Sequence, residues 1–434
     1  MKKEKIVIVG SGIAGITAAK LEGDKGNDVV LLDISSRAGG LLTSDKIEGH
    51  YFDQGTHIFP ATGLKELDEI LFGDLTEENY SITKLISAGN YFNGSLNEKS
   101  CYVDASTLPT TIYYQGCIDI LGNNITDFEN LEQWYDHRFG KTFSREIFCP
   151  VIKKYIGVDA KELPLSVGYF FDMSRVLAFD QDITETLGAI NKYYAVLGHH
   201  SRKEGATKYY PKNGGVGQFI EDMMSKLDPV SVKVLLGKKI LKIIESDGVV
   251  KEVVTESECF EVDRMIWTIP VSLLSLYLPL GVKTNPPKFR KTYLFDYIFD
   301  VPLLSNAAFI NVYDLKLKSG RITLYQNLMD DNGIGRCTVE VLSDEIVTED
   351  DIYDELVIMK LVDENASCTL KNKRIIKNGF PILDLDYVEQ SKKQSKQYHD
   401  YFKNINFLGK ASEKAFFMTD VLKETYNILV LNKK

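Results

Sequence analysis

The residues best suited to ligand chemistry lie early in the chain, where Gly10 to Gly15 have the spacing G-x-G-x-x-G. In a turn between a strand and a helix, Gly10 permits the tight turn, Gly12 lets the backbone approach a pyrophosphate, and Gly15 lets the helix pack closely on the sheet. The free N–H groups and the positive dipole end of such a helix favour phosphate. Asp33, about 20 residues further on, can accept hydrogen bonds from a ribose hydroxyl. The chemistry indicated is the binding of a dinucleotide.

The flanking sequence supplies the elements that must position this turn. Ile6–Val9 is rich in β-branched residues, as is typical of a buried parallel strand. The small residues that follow Ile13 predict a helix, and Asp28–Leu32 predicts a second strand that ends on Asp33. One alternative is a glycine-rich turn without a ligand. Another is a signal peptide, but Glu4 and the glycines inside the apolar run argue against it.

The residues after Asp33 narrow the cofactor. Arg37, Gly39 and Gly40 form R-x-G-G directly after the second predicted strand. The strand, the glycine turn, the helix, the acid and R-x-G-G together resemble the flavin amine oxidase superfamily, which usually has Glu at the position of Asp33. The resemblance implies FAD rather than NAD. The cofactor contacts it implies here are Gly10, Gly12, Ile13, Ala14, Gly15, Asp33, Ile34, Arg37, Gly39, Gly40 and Leu41.

A second set of expected contacts rests on the same resemblance. Tyr51 to Phe59 resembles the family's F-D-x-G-x-H-x-F element, whose backbone passes the flavin ring. The resemblance implies that Gly55, Thr56 and His57 contact the cofactor, and it makes His57 a catalytic candidate as well. The alternative for His57 is a histidine satisfied by backbone hydrogen bonds in a turn.

Later segments complete the pattern. Residues 209–217 resemble the family's Y-Y-P-K-G-G-x-G turn, and the backbone near Ile240 is expected to meet the adenine. Gly409 follows a predicted strand in the family manner. Asp420 and Val421 begin a helix that the resemblance places beside the flavin.

The substrate region is matched more loosely. Residues 321–327 resemble a strand that faces the substrate in the relatives, which makes Arg321 and Tyr325 catalytic candidates. A nucleotide-sugar site would need cations and tyrosines for its diphosphate. The wider set of candidates is Arg175, Arg202, Arg321, Tyr325 and Tyr387. For each of them taken singly, the alternative is a surface or structural position.

Composition limits the classes of function. With 434 residues the chain is long enough for two or more domains, and its net charge is −10. No basic patch is interleaved with aromatics, so nucleic acid is not an expected partner. No apolar run approaches the length of a membrane span, and the six cysteines lack C-x-x-C or zinc spacing. We therefore expect a cytoplasmic protein without a bound metal, whose oligomeric state stays open.

The predicted fold class is α/β, with a Rossmann-type FAD-binding domain interleaved with an α+β substrate domain. The FAD-binding domain is predicted from 1–62, 206–275 and 389–434. The substrate domain is predicted from 63–205 and 276–388, with the active site expected between the two domains.

Three functions fit these observations. The first is an FAD-dependent oxidoreductase with a small-molecule substrate, such as a sugar or nucleotide-sugar of polysaccharide biosynthesis. The second is an isomerase like UDP-galactopyranose mutase that uses reduced flavin, and the third is a non-catalytic flavin-binding protein. Phe380 stands where the relatives have tyrosine, Phe416 and Phe417 bring no hydroxyl, and Lys410 replaces an arginine. Because these changes remove polar contacts from a mutase site, the sequence favours the oxidoreductase.

Overall fold

The computed structural model describes residues 3–122, 128–201, 204–281, 285–329, 333–412 and 417–431. The chain divides into two compact units. The first unit comprises Met1–Ile82, Ala206–Pro286 and Glu389–Lys434, and the second comprises Thr83–Gly205 and Pro287–Val388.

In chain order the strands are β1 (Lys5–Val9), β2 (Asp28–Leu32), β3 (Ser44–Ile47), β4 (His50–Asp53), β5 (Phe59–Pro60), β6 (Tyr80–Thr83), β7 (Ala88–Phe92), β8 (Ser95–Asn97), β9 (Val103–Asp104), β10 (Val176–Leu177), β11 (Lys208–Pro211), β12 (Val232–Leu235), β13 (Ile240–Ser246), β14 (Val249–Thr255), β15 (Cys259–Glu261), β16 (Arg264–Trp267), β17 (Lys288–Phe299), β18 (Phe309–Val312), β19 (Arg321–Leu324), β20 (Gly335–Leu342), β21 (Cys368–Ile382) and β22 (Ile405–Phe407).

The helices are α1 (Ile13–Asp24), α2 (Lys65–Phe72), α3 (Thr110–Gly122), α4 (Leu131–Phe143), α5 (Cys149–Ile156), α6 (Gln181–Gly188), α7 (Asn191–Tyr194), α8 (Val216–Ser225), α9 (Val271–Leu274), α10 (Glu349–Ile358), α11 (Leu385–Tyr401) and α12 (Met418–Tyr426). Short 3₁₀ turns include Leu165–Asp172, Tyr325–Asn327 and Gly409–Ala411. In the ranges described above, no helix is both long and apolar enough to cross a membrane.

A parallel sheet with strand order β12-β2-β1-β16-β22 forms the centre of the first unit. Ile8 pairs in register with Leu31 on one side and with Ile266 on the other, and all three side chains are fully buried. Parallel strands buried on both faces need such continuous aliphatic runs. Strands β1 and β2 therefore form where the sequence predicted them, and their carboxyl ends carry the glycine turn and Asp33 to one edge.

The second unit is built on a sheet with strand order β21-β17-β20-β19-β18-β7-β8. Its long strand β17 carries Tyr293, Phe295, Tyr297 and Phe299 at every second position, and all four pack into one apolar cluster. Period-2 spacing directs alternate side chains to the same face of a strand, which explains this layer.

The helical part of the second unit follows the glycine breaks in its sequence. Gly140 adopts φ 76° inside α4, and Gly157 ends α5 in the left-handed region at φ 89°. Trp134, Phe139 and Phe148 lie in a buried aromatic cluster, with Phe139 and Phe148 stacked at 3.7 Å. These aromatic residues therefore belong to the core of the second unit.

The chain passes from the first unit to the second between residues 82 and 83 and again between residues 286 and 287. The sequence predicted these two boundaries at 62/63 and 275/276. Strand β6 lies with the first unit because it pairs in the sheet β5-β11-β6. Residues after α9 also belong there, since Tyr398 donates a hydrogen bond to the carbonyl of Leu278. The mixed α/β fold class is confirmed. The assignment of the units to cofactor and substrate remains a prediction.

Candidate functional site

Of the three glycines in the turn, Gly10 and Gly15 leave no room for a side chain, whereas Gly12 does. A Cβ atom at Gly15 would lie 1.8 Å from the carbonyl oxygen of Gly10, and one at Gly10 would lie 2.3 Å from the Thr268 hydroxyl. Gly12 is the N-cap of α1, and a Cβ there would meet no heavy atom of the described residues within 4 Å. The turn is thus packed on its inner side and open at Gly12, where the first N–H groups of α1 are available to an anion.

The R-x-G-G segment lies directly beside this turn. The N–H of Gly39 donates to the carbonyl of Ser11 at 2.7 Å, and Gly12 pairs with Gly39 in an isolated parallel bridge. A Cβ at Gly40 would lie 3.7 Å from the Cα of Gly12. The two glycine segments therefore form one surface of bare backbone, which we call the glycine cradle, at the N-terminus of α1.

Asp33 supports the cradle from the end of β2. Its Oδ2 accepts hydrogen bonds from the N–H and hydroxyl of Ser11 at 2.6 and 2.7 Å, and its Oδ1 accepts from the N–H of Ser35 at 2.8 Å. A carboxylate offers about four lone pairs, so it can also accept a hydrogen bond from a ribose hydroxyl. Ile34 and Leu41 beside it are 72% and 45% exposed, which leaves apolar surface next to the cradle.

Arg37 holds the second glycine segment in place. Its guanidinium pairs with Asp45 at 2.9 Å and donates to the carbonyl of Ser44 at 2.5 Å, both on β3. The sequence led us to expect Arg37 near the phosphates. The structure shows contacts that fasten the R-x-G-G segment to the β3–β4 hairpin.

Asp53, which the sequence analysis did not single out, is the buried centre of the neighbouring region. Its Oδ1 accepts from the Ser44 hydroxyl at 2.6 Å and the Val216 N–H at 3.0 Å, and its Oδ2 accepts from the Tyr210 hydroxyl at 2.6 Å. A Cβ at Gly215 would lie 2.4 Å from Oδ1, so this position needs glycine. One carboxylate thus joins β3, β4, β11 and the start of α8. The signal that could have indicated this contact is the presence of both F-D-x-G and P-K-x-G-G in the sequence. These segments are far apart, and no repeating pattern connects them.

The segment after Asp53 contains three predicted contacts. Gly55 has φ 116°, a conformation that favours glycine. Thr56 and His57 are half-buried, and each has a bonding partner. The catalytic role of His57 therefore stays a prediction, and so does the alternative of a satisfied histidine.

The last strand brings its end close to the first helix. A Cβ at Gly409 would lie 3.0 Å from the Cβ of Ala14 and 3.8 Å from Val421, which is buried. Asp420 lies in the first turn of α12 and is exposed. Lys410 has an exposed stem, while desolvation by the surrounding protein lowers the pKa of its ammonium.

Two further predicted contacts are placed by the core of the first unit. Ile13 begins α1 directly after Gly12. Ile240 begins β13, and its side chain is buried in the apolar cluster that also contains Val7 and Trp267. Only the backbone of Ile240 is therefore available to an adenine, as the sequence analysis expected, and that contact remains a prediction.

In the second unit, the guanidinium of Arg321 is held by one hydrogen bond and two aromatic rings, and we call its two terminal nitrogens the fork. Its Nε donates to Oδ1 of Asn311 at 3.0 Å, and its guanidinium lies 5.6 and 5.7 Å from the ring centroids of Phe171 and Phe309. Across the described ranges, its terminal nitrogens make no hydrogen bond or ion pair. A guanidinium held this way can offer two parallel N–H groups to an oxyanion.

Tyr325 requires a correction. It was a catalytic candidate on a predicted strand through Asn327, but β19 ends at Leu324 and Tyr325 begins a 3₁₀ turn. Its side chain is fully buried, and its hydroxyl is hydrogen-bonded to Thr338 at 2.9 Å; Thr338 in turn donates to Asp296. Tyr325 belongs to the interior of the sheet and offers no surface to a substrate.

The remaining candidates are placed as follows. Arg175 donates to the carbonyls of Tyr194 and Leu197, which is a structural role. Tyr387 lies in the first turn of α11 and has a bonding partner. Arg202 lies outside the described residues.

Comparison with known proteins agrees with this geometry. Residues 8–71 match the NAD(P)-binding Rossmann-like domain family. The 15-cis-phytoene desaturase of Arabidopsis thaliana is 25% identical over 333 residues, which is 73% of this chain and 56% of the relative. The 1-hydroxycarotenoid 3,4-desaturase of Flavobacterium sp. (strain P99-3) is 23% identical over 282 residues, with 62% and 57% covered. The chain thus spans little more than half the length of these relatives.

Solved structures extend the likeness to the whole chain. A reduced UDP-galactopyranose mutase gives a TM-score of 0.75 at 16% identity, covering 100% of this chain and 97% of that one. A putrescine oxidase bound to putrescine gives 0.64 at 13% identity, covering 99% and 98%. A putative protoporphyrinogen oxidase from Exiguobacterium sp. 255-15 gives 0.69 at 15% identity, covering 99% and 98%. At such identities the likeness shows the fold alone.

The parallel sheet and the glycine cradle define a Rossmann-type dinucleotide-binding protein. Its fold over the whole chain is similar to those of the UDP-galactopyranose mutase, the putative protoporphyrinogen oxidase and the putrescine oxidase. The cofactor that the sequence resemblance implies is FAD. The residues present fit it, because the cradle is open at Gly12, where a pyrophosphate would lie, and Asp33 stands at the end of β2.

Proposed function

We propose that this protein is an FAD-dependent oxidoreductase acting on a small molecule that carries an anionic group, such as a sugar phosphate or nucleotide-sugar. The observation that carries the proposal is the open glycine cradle at the N-terminus of α1, where no side chain in the described part of the chain obstructs Gly12. A backbone surface of this kind selects for a pyrophosphate, which FAD contains.

The roles of the residues follow from their chemistry. The N–H groups at the start of α1 bind the pyrophosphate, and Asp33 accepts a hydrogen bond from the adenosine ribose. Arg37 and Asp53 keep the neighbouring segments in place through the contacts described above. When bound, FAD supplies a two-electron acceptor for a hydride from a substrate carbon.

The anionic group is supported by Arg321. Its Nε is already bonded and two rings flank its guanidinium, so the fork loses little conformational freedom when it binds. Phosphate and carboxylate both match the geometry of its two terminal nitrogens. In this proposal Arg321 binds the substrate, whereas the buried Tyr325 does not.

Oxidation is favoured over the mutase reaction by what surrounds Arg321. Phe380, which stands where the relatives have tyrosine, packs 5.5 Å from Phe171, the same ring that flanks Arg321. Its other neighbour is Phe170, in an edge-on contact at 6.0 Å. A hydroxyl that could hold a leaving diphosphate is therefore replaced by an apolar ring. The desaturase names of the curated relatives also support oxidation.

The mutase reaction remains the second candidate, because a diphosphate would suit the same fork. The test uses the purified, chemically reduced protein under anaerobic conditions with UDP-galactofuranose. We expect no UDP-galactopyranose to form. Efficient conversion without net flavin oxidation would replace our proposal with the mutase.

A second arm uses the oxidised, flavin-loaded protein with a panel of sugar phosphates and nucleotide-sugars. We expect at least one of them to bleach the flavin absorbance, and Arg321→Ala to raise the concentration needed for half-maximal bleaching. A matched control is Arg175→Ala, which removes an arginine bound to backbone carbonyls of the same unit. If no anionic compound bleaches the flavin while neutral ones do, the anionic substrate class is wrong.

A further inference from the structure

Asn311 is a fully buried asparagine that lies between an acid and an arginine. Its Oδ1 accepts from Nε of Arg321 at 3.0 Å, and its Nδ2 donates to Oδ2 of Asp172 at 2.9 Å. Arg321 and Asn311 are register partners on the antiparallel strands β19 and β18. A neutral amide thus separates two opposite charges within one unit.

The orientation of this amide is fixed by its surroundings. Nδ2 also lies 3.2 Å from the carbonyl oxygen of Cys101 and 3.1 Å from the hydroxyl oxygen of Tyr313. Turning the amide over would place its oxygen against that carbonyl and the Asp172 carboxylate, which cannot donate. Oδ1 must therefore face Arg321.

The backbone beside the amide is strained. Phe171 and Asp172 have φ 54° and 57°, and consecutive residues with side chains rarely adopt this left-handed conformation. The Tyr313 hydroxyl, which donates to the carbonyl of Phe171 at 2.8 Å, fastens the turn. The turn brings the Phe171 ring to Arg321 and the Asp172 carboxylate to Asn311 at the same time.

We propose that Asn311 is a positioning residue that keeps Arg321 from pairing with Asp172 and so leaves the guanidinium fork free for a substrate oxyanion, either phosphate or carboxylate. The inference rests on the proposed function, in which Arg321 binds the anionic group. If the amide were removed, the attraction between the opposite charges of these two half-buried side chains would draw Arg321 to Asp172. The fork would then be occupied by the protein's own acid.

The test is isothermal titration of the flavin-loaded full chain with inorganic pyrophosphate and, in a separate arm, with citrate. Flavin loading keeps the glycine cradle occupied, and the two arms distinguish phosphate from carboxylate. We expect Arg321→Ala to weaken binding of the preferred anion about 100-fold and Asn311→Ala about tenfold, as expected for lost charge-assisted hydrogen bonds.

A matched control comes from the same sheet. Asn90 is also fully buried, pairs in register with Asn311, and donates to the carbonyl of Ser100. Asn90→Ala should leave anion affinity within about twofold, because its amide bonds the backbone of Ser100 and not Arg321, and its melting temperature reports the cost of removing a buried amide from this sheet. Equal losses of affinity in both variants would mean a merely structural role and would overturn the proposal.

Rescue gives the sharpest readout. In the Asn311→Ala background, Asp172→Asn removes the competing charge, so anion affinity should return to within about threefold of the wild type. Asp172→Asn alone should keep wild-type affinity. If Asn311→Ala does not fold, the isosteric Asn311→Asp pairs a carboxylate directly with Arg321 and should weaken binding at least about tenfold.

The outcomes separate the two proposals. If Arg321→Ala binds both anions as the wild type does, the anionic part of the proposed function fails. If Arg321→Ala loses binding but Asn311→Ala or Asn311→Asp does not, Asn311 is not a positioning residue and the proposed function stands. Loss of affinity in Asp172→Asn alone would also overturn the positioning role, since the acid would then contact the ligand itself.

Discussion

In our proposal the glycine cradle and the Arg321 fork both bind an anion, but by opposite means. The cradle uses bare backbone from residues close together in sequence, and its key positions have no side chain. The fork uses one cation aligned by Asn311 and Phe309 of β18 and by Phe171 from a distant segment of the same unit. The cradle depends on glycines, which have no side chain, whereas the fork depends on a network of side chains.

This difference explains why the two regions tolerate change differently. At the cradle, an added methyl group would meet backbone at Gly15, a side chain at Gly10 and no atom of the described residues within 4 Å at Gly12. At the fork, each side chain has several partners, so the effect of one substitution depends on which partner can rearrange. Substitutions in each region can therefore test whether ligand binding depends on the backbone or on side chains.

The largest effect is expected for Gly15→Ala. The new methyl group would lie 1.8 Å from the carbonyl oxygen of Gly10, and rigid backbone cannot move away as a side chain can. We expect the free energy of unfolding to fall by about 3 kcal/mol or more in urea titrations, since overpacking typically costs 1–3. Gly188→Ala at the end of α6, where a Cβ meets nothing within 4 Å, should be neutral or slightly stabilising.

Asp53→Asn should come next. The amide nitrogen cannot accept a hydrogen bond, so at least one of the donors from Ser44, Tyr210 and Val216 would be left buried and unsatisfied. We expect a loss of about 2–3 kcal/mol in unfolding free energy, together with weaker FAD retention. Asp228→Asn is the control, because this exposed carboxylate also accepts from several donors. Equal losses in both variants would contradict a special role for the buried carboxylate.

Gly12→Ala should leave the fold intact but reduce FAD binding. A Cβ here meets no atom within 4 Å in the part of the chain that the structure describes, so stability should change little, yet the methyl group would lie where the pyrophosphate must approach. We expect FAD affinity to fall at least about tenfold, or 1.4 kcal/mol, by titration of the apoprotein. A variant that retains stoichiometric FAD with unchanged affinity would show that the cofactor does not use this turn.

The smallest effect is expected for Tyr325→Phe. The change removes one buried hydrogen bond to Thr338 and should cost about 0.5–1.5 kcal/mol of stability. Because Tyr325 is buried in the sheet, substrate-driven flavin bleaching should keep its wild-type concentration dependence. A large rise in the concentration needed would restore Tyr325 as a substrate contact.

The sequence predicted those parts of the molecule that local rules determine. The first two strands, the glycine turn and α1 all have signals contained within a few residues. Asp53 was missed because its partners at 210 and 216 are far away in the chain, and hydrogen bonds between distant residues produce no repeating pattern in the sequence. The buried position of Tyr325 was not anticipated, because the strand was expected to continue to Asn327, whereas it ends at Leu324 and a 3₁₀ turn places the Tyr325 side chain in the interior.

The strand order of the first unit also has a consequence for how the protein is made. β1 and β2 are synthesised early, but β16 and β22, which complete the parallel sheet, follow more than two hundred residues later. Such a large separation in sequence slows folding, because the entropy cost of bringing distant segments together comes before the hydrogen bonds of the sheet can form. The glycine turn between β1 and α1 therefore becomes part of a complete sheet only after β16 and β22 have been synthesised.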